Sequence, residues 1–149
     1  MSREILFRGK RIDNGEWVEG YYVNHIKRQV CTIGDLLEPE DEQHLIFSSG
    51  FADWNMLRPL QFTCINPKTL CQYTGLTDKN GKKIWENDIL RRDRYWGIRI
   101  EFENGVFMVR NADKVQYINR ATCTPINTFN IKAYEVIGNI FDNPELLCN

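Results

Sequence analysis

The chain has no apolar run approaching the roughly 20 residues that a bilayer-spanning helix needs, and its opening MSREILFRGK carries charge at the third and fourth positions. A secretory leader and a membrane span are therefore not expected, and the cytoplasm is the expected location. Cysteine is sparse and unpaired in pattern: Cys31, Cys64, Cys71, Cys123 and Cys148 are odd in number, with no C-x-x-C spacing. With only His25 and His44 to supplement them, a four-ligand zinc site would need distant segments, so reduced, metal-free thiols are expected. A net charge of −1 gives no global field for holding nucleic acid through phosphates, and any such role must rest on a local patch. Also missing are a phosphate-cradling glycine loop, a nucleophile beside a base, and paired metal ligands. No catalytic residue, cofactor or metal ligand is assigned, and an enzyme of unrecognised type stays only as a rival reading.

What is present belongs to a folded chain: 149 residues, 42% hydrophobic and 12% aromatic, enough for one domain or a domain with a smaller partner. Strand patterns dominate, and no helix-period segment exceeds about ten residues. Ile5 and Phe7 precede the turn residues Asp13, Asn14 and Gly15, and Trp17, Val18, Tyr21, Tyr22 and Val23 follow; this is a β-hairpin pattern. A further strand is expected over residues 28–33. Residues 35–53 hold Asp35, Glu38, Glu40, Asp41, Glu42 and Asp53 with no Lys or Arg, which reads as a solvated, acidic, turn-rich excursion. Residues 51–60 read as one helical turn ended by Pro59, and residues 62–65 as a strand.

The organising stretch is residues 72–90, QYTGLTDKNGKKIWENDIL. Asn80-Gly81 sits between the apolar Tyr73 and Leu76 and the apolar Ile84 and Trp85, and predicts a two-residue reversal. Glu86, Asn87 and Asp88 predict a second turn. Ile98, Ile100 and Phe102 then alternate with Arg99, Glu101 and Glu103, a strand with one wet face, and Asn104-Gly105 returns it as a hairpin. Residues 134–140, YEVIGNI, form a last strand, with Pro144 opening a short final turn. Basic and aromatic side chains interleave at Lys79, Lys82, Lys83, Arg91, Arg92, Arg94, Tyr95 and Trp96. These eight are the candidate binding surface, able to hold single-stranded nucleic acid weakly if the fold gathers them on one face.

Three blocks, REILFRGKRIDNGEWVEGYY, INPKTLCQYTGLTDKNGKKIWENDIL and YEVIGNIFDNPELL, resemble the YopX family of bacteriophage and prophage proteins. Where that pattern usually has Gly, this chain has Asn87, which tolerates positive φ next best. The resemblance implies a mainly β protein of antiparallel hairpins with little helix and a C-terminal SH3-like small barrel, a phage or prophage origin, and no established activity. The expected division is a hairpin region with the acidic excursion over residues 1–71 and the barrel over residues 72–149. The expected function is a non-enzymatic binding module, a protein adaptor or regulator. Its partner would be a phage or host protein, with nucleic acid as the alternative, and exposed strand edges favour a homo-oligomer.

Overall fold

The computed structural model describes residues 4–31, 33–93, 97–111 and 124–147. The protein is mainly β, all its described strands pair antiparallel, and its helical content is confined to single 3-10 turns. The chain divides into two compact units, Ile5–Cys71 and Gln72–Asn149, the latter taking in Glu4.

In Ile5–Cys71 the strands are β1 (Phe7–Lys10), β2 (Trp17–Ile26), β3 (Glu42–Ser49) and β4 (Leu60–Cys64), hydrogen-bonded in the order β4-β3-β2-β1. The expected first hairpin is β1–β2, with Lys10 opposite Trp17 and Gly15 at φ 73° in the turn. The sheet curls until its last strand meets its first: Arg11 bridges to Ile65, the Ile12 N–H donates to the Cys64 carbonyl and the Asn66 N–H to the Lys10 carbonyl. Two glycines make room for close approaches within it. A Cβ on Gly9 would stand 2.6 Å from Ile65 Cδ1, and one on Gly20 would stand 2.3 Å from the Phe47 carbonyl oxygen. Ile46 and Ile65, at 0% and 1% exposure, fill the inside.

Three local expectations fail in this unit. No strand is found among the described residues of 28–33; β2 instead continues to Ile26, because its partner β3 extends to Glu42 opposite it. The acidic excursion contains that partner: Leu45, Ile46 and Phe47 supply an apolar centre that the surrounding carboxylates obscured in the sequence, and Ile46 is fully buried. The acids cluster instead at the 3-10 turn Pro39–Asp41, where Arg28 binds Asp35 at 2.8 Å and Asp41 at 2.9 Å. These bonds hold both carboxyls below the ordinary carboxylate range, chiefly through the hydrogen bonds from Arg28. Between β3 and β4 there is no helical turn, only a bend in which the Met56 N–H donates to Asp53 and Asn55 takes φ 66°.

In Gln72–Asn149, β5 (Cys71–Thr77) pairs with β6 (Lys83–Trp85). Five further strands follow: β7 (Asp88–Arg91), β8 (Gly97–Glu103), β9 (Val106–Asn111), β10 (Thr124–Pro125) and β11 (Glu135–Asn139). They lie in the order β10-β9-β8-β7-β11. Asn104 and Gly105, at φ 52° and 80°, form the expected two-residue turn between β8 and β9, with Glu103 opposite Val106. The Asn80-Gly81 reversal is a three-residue loop rather than a two-residue one. Only Gly81 has positive φ, the Gly81 N–H donates to the Asp78 carbonyl and the Asp78 N–H to Lys82, as in a type I turn followed by a left-handed residue. Asp78 imposes this. Its carboxylate, 2% exposed, accepts from the N–H groups of Asn80 and Lys82 at 2.8 and 2.9 Å and from Val136 at 3.0 Å, tying the loop to β11. Asn87 takes φ 65°, as the Gly-like position requires. The core is one cluster that includes Ile84, Leu90, Ile98, Ile100, Phe107, Val109, Ile131 and Val136.

Candidate binding surface

Of the eight basic and aromatic residues singled out in the sequence, Arg94, Tyr95 and Trp96 lie outside the described residues. The other five do not form one free basic face. Lys79 donates its backbone N–H to the Tyr134 carbonyl and pairs its ammonium with Glu135 at 2.5 Å. Arg91 stands opposite the same Glu135 across the β7–β11 pair. Arg92 is close enough to act electrostatically on the Tyr134 phenol, whose pKa is raised by burial. Lys79 thus pairs with, and Arg91 stands opposite, one carboxylate that offsets part of their charge, while Arg92 lies near Tyr134. Lys83 lies over Tyr73 and Trp85, 5.7 and 5.8 Å from the ring centroids; both rings are core residues, so this cation covers the core edge. Lys82 is exposed in the β5–β6 loop.

A second arrangement joins residues that lie far apart in sequence. The Tyr22 hydroxyl is 2.7 Å from His44 Nδ1, the two rings stack with planes 10° apart, and His44 Nε2 lies 3.6 Å from a Glu42 carboxylate oxygen. Burial, then the charge of Glu42, raises the Tyr22 pKa. His44 borders a cavity of about 530 Å³ with Lys27, Leu37, Pro39, Gln43 and Cys64. Only the Tyr22–His44 contact is within hydrogen-bond distance, so the three groups do not form a continuous proton path. Cys64, the nearest thiol in the cavity wall, is on the opposite sheet face, because it sits opposite Leu45 and not His44. His25 pairs with Gln43 on that opposite face as well. No group of three or more His, Cys, Asp or Glu positioned for a metal occurs among the described residues. Cys31, Cys64 and Cys71 are free thiols; Cys123 and Cys148 lie outside the described residues.

The most extensive candidate surface is one that the sequence reading passed over. Strand register places Tyr21, Phe47 and Phe62 in a row across β2, β3 and β4, and Val23, Leu45 and Cys64 in the next row. The rings touch: Tyr21 and Phe47 at 5.9 Å, Phe47 and Phe62 at 5.2 Å with planes 11° apart. Period-two alternation puts Gly20, Ile46 and Thr63 on the covered face, and so directs this whole row outward. An exposed sheet face is ordinarily polar. Here Tyr21 is 55% and Phe62 61% exposed, and the following segment adds Phe51, Trp54, Met56 and Leu57, with Trp54 at 94%. The signal was available only in part, since Tyr21, Phe47 and Phe62 are large apolar residues within strand-like segments; what could not be read was which face is covered.

Fold and surface together define a small, mainly β protein built of open antiparallel sheets, with an aromatic face on its N-terminal unit. The model of the YopX protein family matches residues 6–148, so the chain belongs to the YopX family. No curated protein matches it. Among solved structures it is similar to protein EF1440 from Enterococcus faecalis, with 26% identity over 98% of this chain and 99% of that one and a TM-score of 0.48. No helix among the described residues is long and apolar enough to cross a membrane.

Proposed function

We propose that the protein is a non-enzymatic binding module, a protein adaptor or regulator, and that its partner docks on the outer face of β2–β4. The observation that carries this reading is the outward row Tyr21–Phe47–Phe62 with Val23 and Leu45 in the next row; Trp54 is exposed in the segment that joins β3 to β4. Contiguous exposed apolar surface of this kind is costly to solubility and is typical of protein-binding sites. A phage or prophage setting, with a phage or host protein as the partner and a bacterial cytoplasm as the location, rests on the family resemblance. We read the C-terminal unit as an SH3-like barrel. Its support is strand order: four strands in a meander, with the last returning to pair with the first after the 3-10 turn Ile131–Ala133. Fold of this kind does not decide function.

The test compares capture by wild type with capture by Tyr21→Glu and Trp54→Ala from prophage-bearing cells, with nuclease present and absent. A specific partner held by wild type, lost in both variants and indifferent to nuclease is expected. Identical capture by all three would refute docking on this face. The nucleic-acid alternative is favoured by Lys79, Arg91 and Arg92 standing near one another. It predicts salt-sensitive binding of single-stranded oligonucleotide that falls on Arg91→Ala and Arg92→Ala; absence of binding at low salt removes it.

A further inference from the structure

The free edge of β4 borders the aromatic face and is a second element to account for. Pairing fixes which of its backbone groups face outward. The Ile65 N–H donates to His44, and the Gly50 N–H donates to Pro59, so residues 59, 61, 63 and 65 direct their backbone groups toward β3. Residues 60, 62 and 64 direct theirs away. The outward Cys64 carbonyl is taken by the Ile12 N–H. Beyond that point the strands diverge, and a groove opens between Arg11, Ile12 and Asp13 on one side and Gln61, Phe62 and Thr63 on the other. The N–H and carbonyl groups of Leu60 and Phe62 on its β4 side have no partner among the described residues.

Exposed edges are ordinarily defended by a lysine, a proline or a bulge. Leu60–Cys64, sequence LQFTC, has no charge and no proline, and its register with β3 runs unbroken. We propose that this edge is occupied by the same edge of a second copy of the chain, the two β4 strands lying antiparallel about a two-fold axis at Gln61. That placement puts Leu60 opposite Phe62 of the second copy, and Phe62 opposite Leu60. All four residues point their free backbone groups across the join, and the two apolar side-chain pairs lie on the outer face. A two-fold contact doubles every charge it contains. The uncharged strand meets its own copy without like-charge repulsion, and each aromatic row Tyr21–Phe47–Phe62 ends against its counterpart.

Sedimentation of purified protein from about 1 to about 100 μM tests this, since the pairing is concentration-dependent. Wild type should approach twice the 17.6 kDa chain mass. Phe62→Lys should restore the monomer, and Phe62→Pro should do the same, because the N–H it removes faces away from β3; circular dichroism checks that each is folded. A third variant reads geometry directly. In a Cys31→Ser, Cys64→Ser background, Gln61→Cys should form an intermolecular disulfide on mild oxidation, because directly opposed residues at a non-hydrogen-bonded position have Cα atoms about 4.5 Å apart, within disulfide reach. Monomer throughout the range, a dimer that persists in both folded Phe62 variants, or a dimer that Gln61→Cys fails to cross-link would each overturn the proposal. None of these results bears on capture of another protein by Tyr21 and Trp54.

Discussion

The two units spend their apolar residues in opposite ways. Among the described residues, thirteen of the fifteen exposed large hydrophobic side chains lie in Ile5–Cys71, whereas thirteen of the seventeen buried hydrophobic residues lie in Gln72–Asn149. Each unit has sheet faces rich in Val, Ile, Phe and Tyr. In the C-terminal unit Ile84, Leu90, Ile100 and Val109 close into one core. The N-terminal unit buries Leu6, Ile46, Ile65 and Cys71 and keeps its aromatic row in water. Burial of apolar area is the main source of stability. The C-terminal unit is therefore the one whose apolar residues stabilise the fold, and the N-terminal unit the one whose apolar residues remain available to a partner.

The largest effect should come from hollowing the dense core: Ile100→Ala, at a position with 0% exposure, is expected to cost about 3 kcal/mol in chemical denaturation. Next is Asp78→Ala, which leaves the Val136, Lys82 and Asn80 N–H groups without their acceptor and should cost about 2 kcal/mol. Burial disfavours the Asp78 charge, but those three donors and the Lys82 charge outweigh it, holding the carboxyl below its ordinary value of 3.8. Its contribution is therefore complete above about pH 4 and is lost as pH falls through the lower, folded value. The stability difference between wild type and Asp78→Ala should therefore narrow in denaturation measured at successively lower pH below about 4; a difference independent of pH there would refute the assignment.

In the N-terminal unit the sharpest structural test is Gly20→Ala, whose Cβ would meet the Phe47 carbonyl at 2.3 Å; a loss of about 2 kcal/mol is expected from the displaced backbone. Gly105→Val, at φ 80°, should cost about 1 kcal/mol, because a β-branched side chain is strained there. The smallest effect distinguishes the units most directly. Tyr21→Ser removes a large but exposed ring and should change stability by no more than about 0.5 kcal/mol. If thermal melting showed Tyr21→Ser to be as damaging as Ile100→Ala, the aromatic row would belong to a core and the contrast would fail.

Much of this architecture was legible from local chemistry. Asn104-Gly105 between alternating apolar residues specifies its hairpin because both positions need positive φ, and Asn87 stands where only Gly or Asn fits. The β5–β6 loop was misread by one residue because the side chain of Asp78, and not the Asn80-Gly81 pair, fixes its length. β3 was missed because acidic neighbours masked three consecutive apolar residues whose partner strands lie about twenty positions away on either side. For the binding surface, sequence identified the cations but not Glu135, which faces Lys79 only because β11 returns to β7.

The sequence by itself determined that this chain is mainly β, where it turns, and which residues alternate along each strand, because φ preference and period two are properties of neighbouring residues. Only the tertiary structure decided that Ile46 is buried while Phe62, one strand away, lies in water. Both are apolar residues on well-formed strands; which sheet face is covered depends on the curl of β1 back to β4, and that rests on contacts such as Gly9 against Ile65, fifty-six residues apart, which no local pattern encodes.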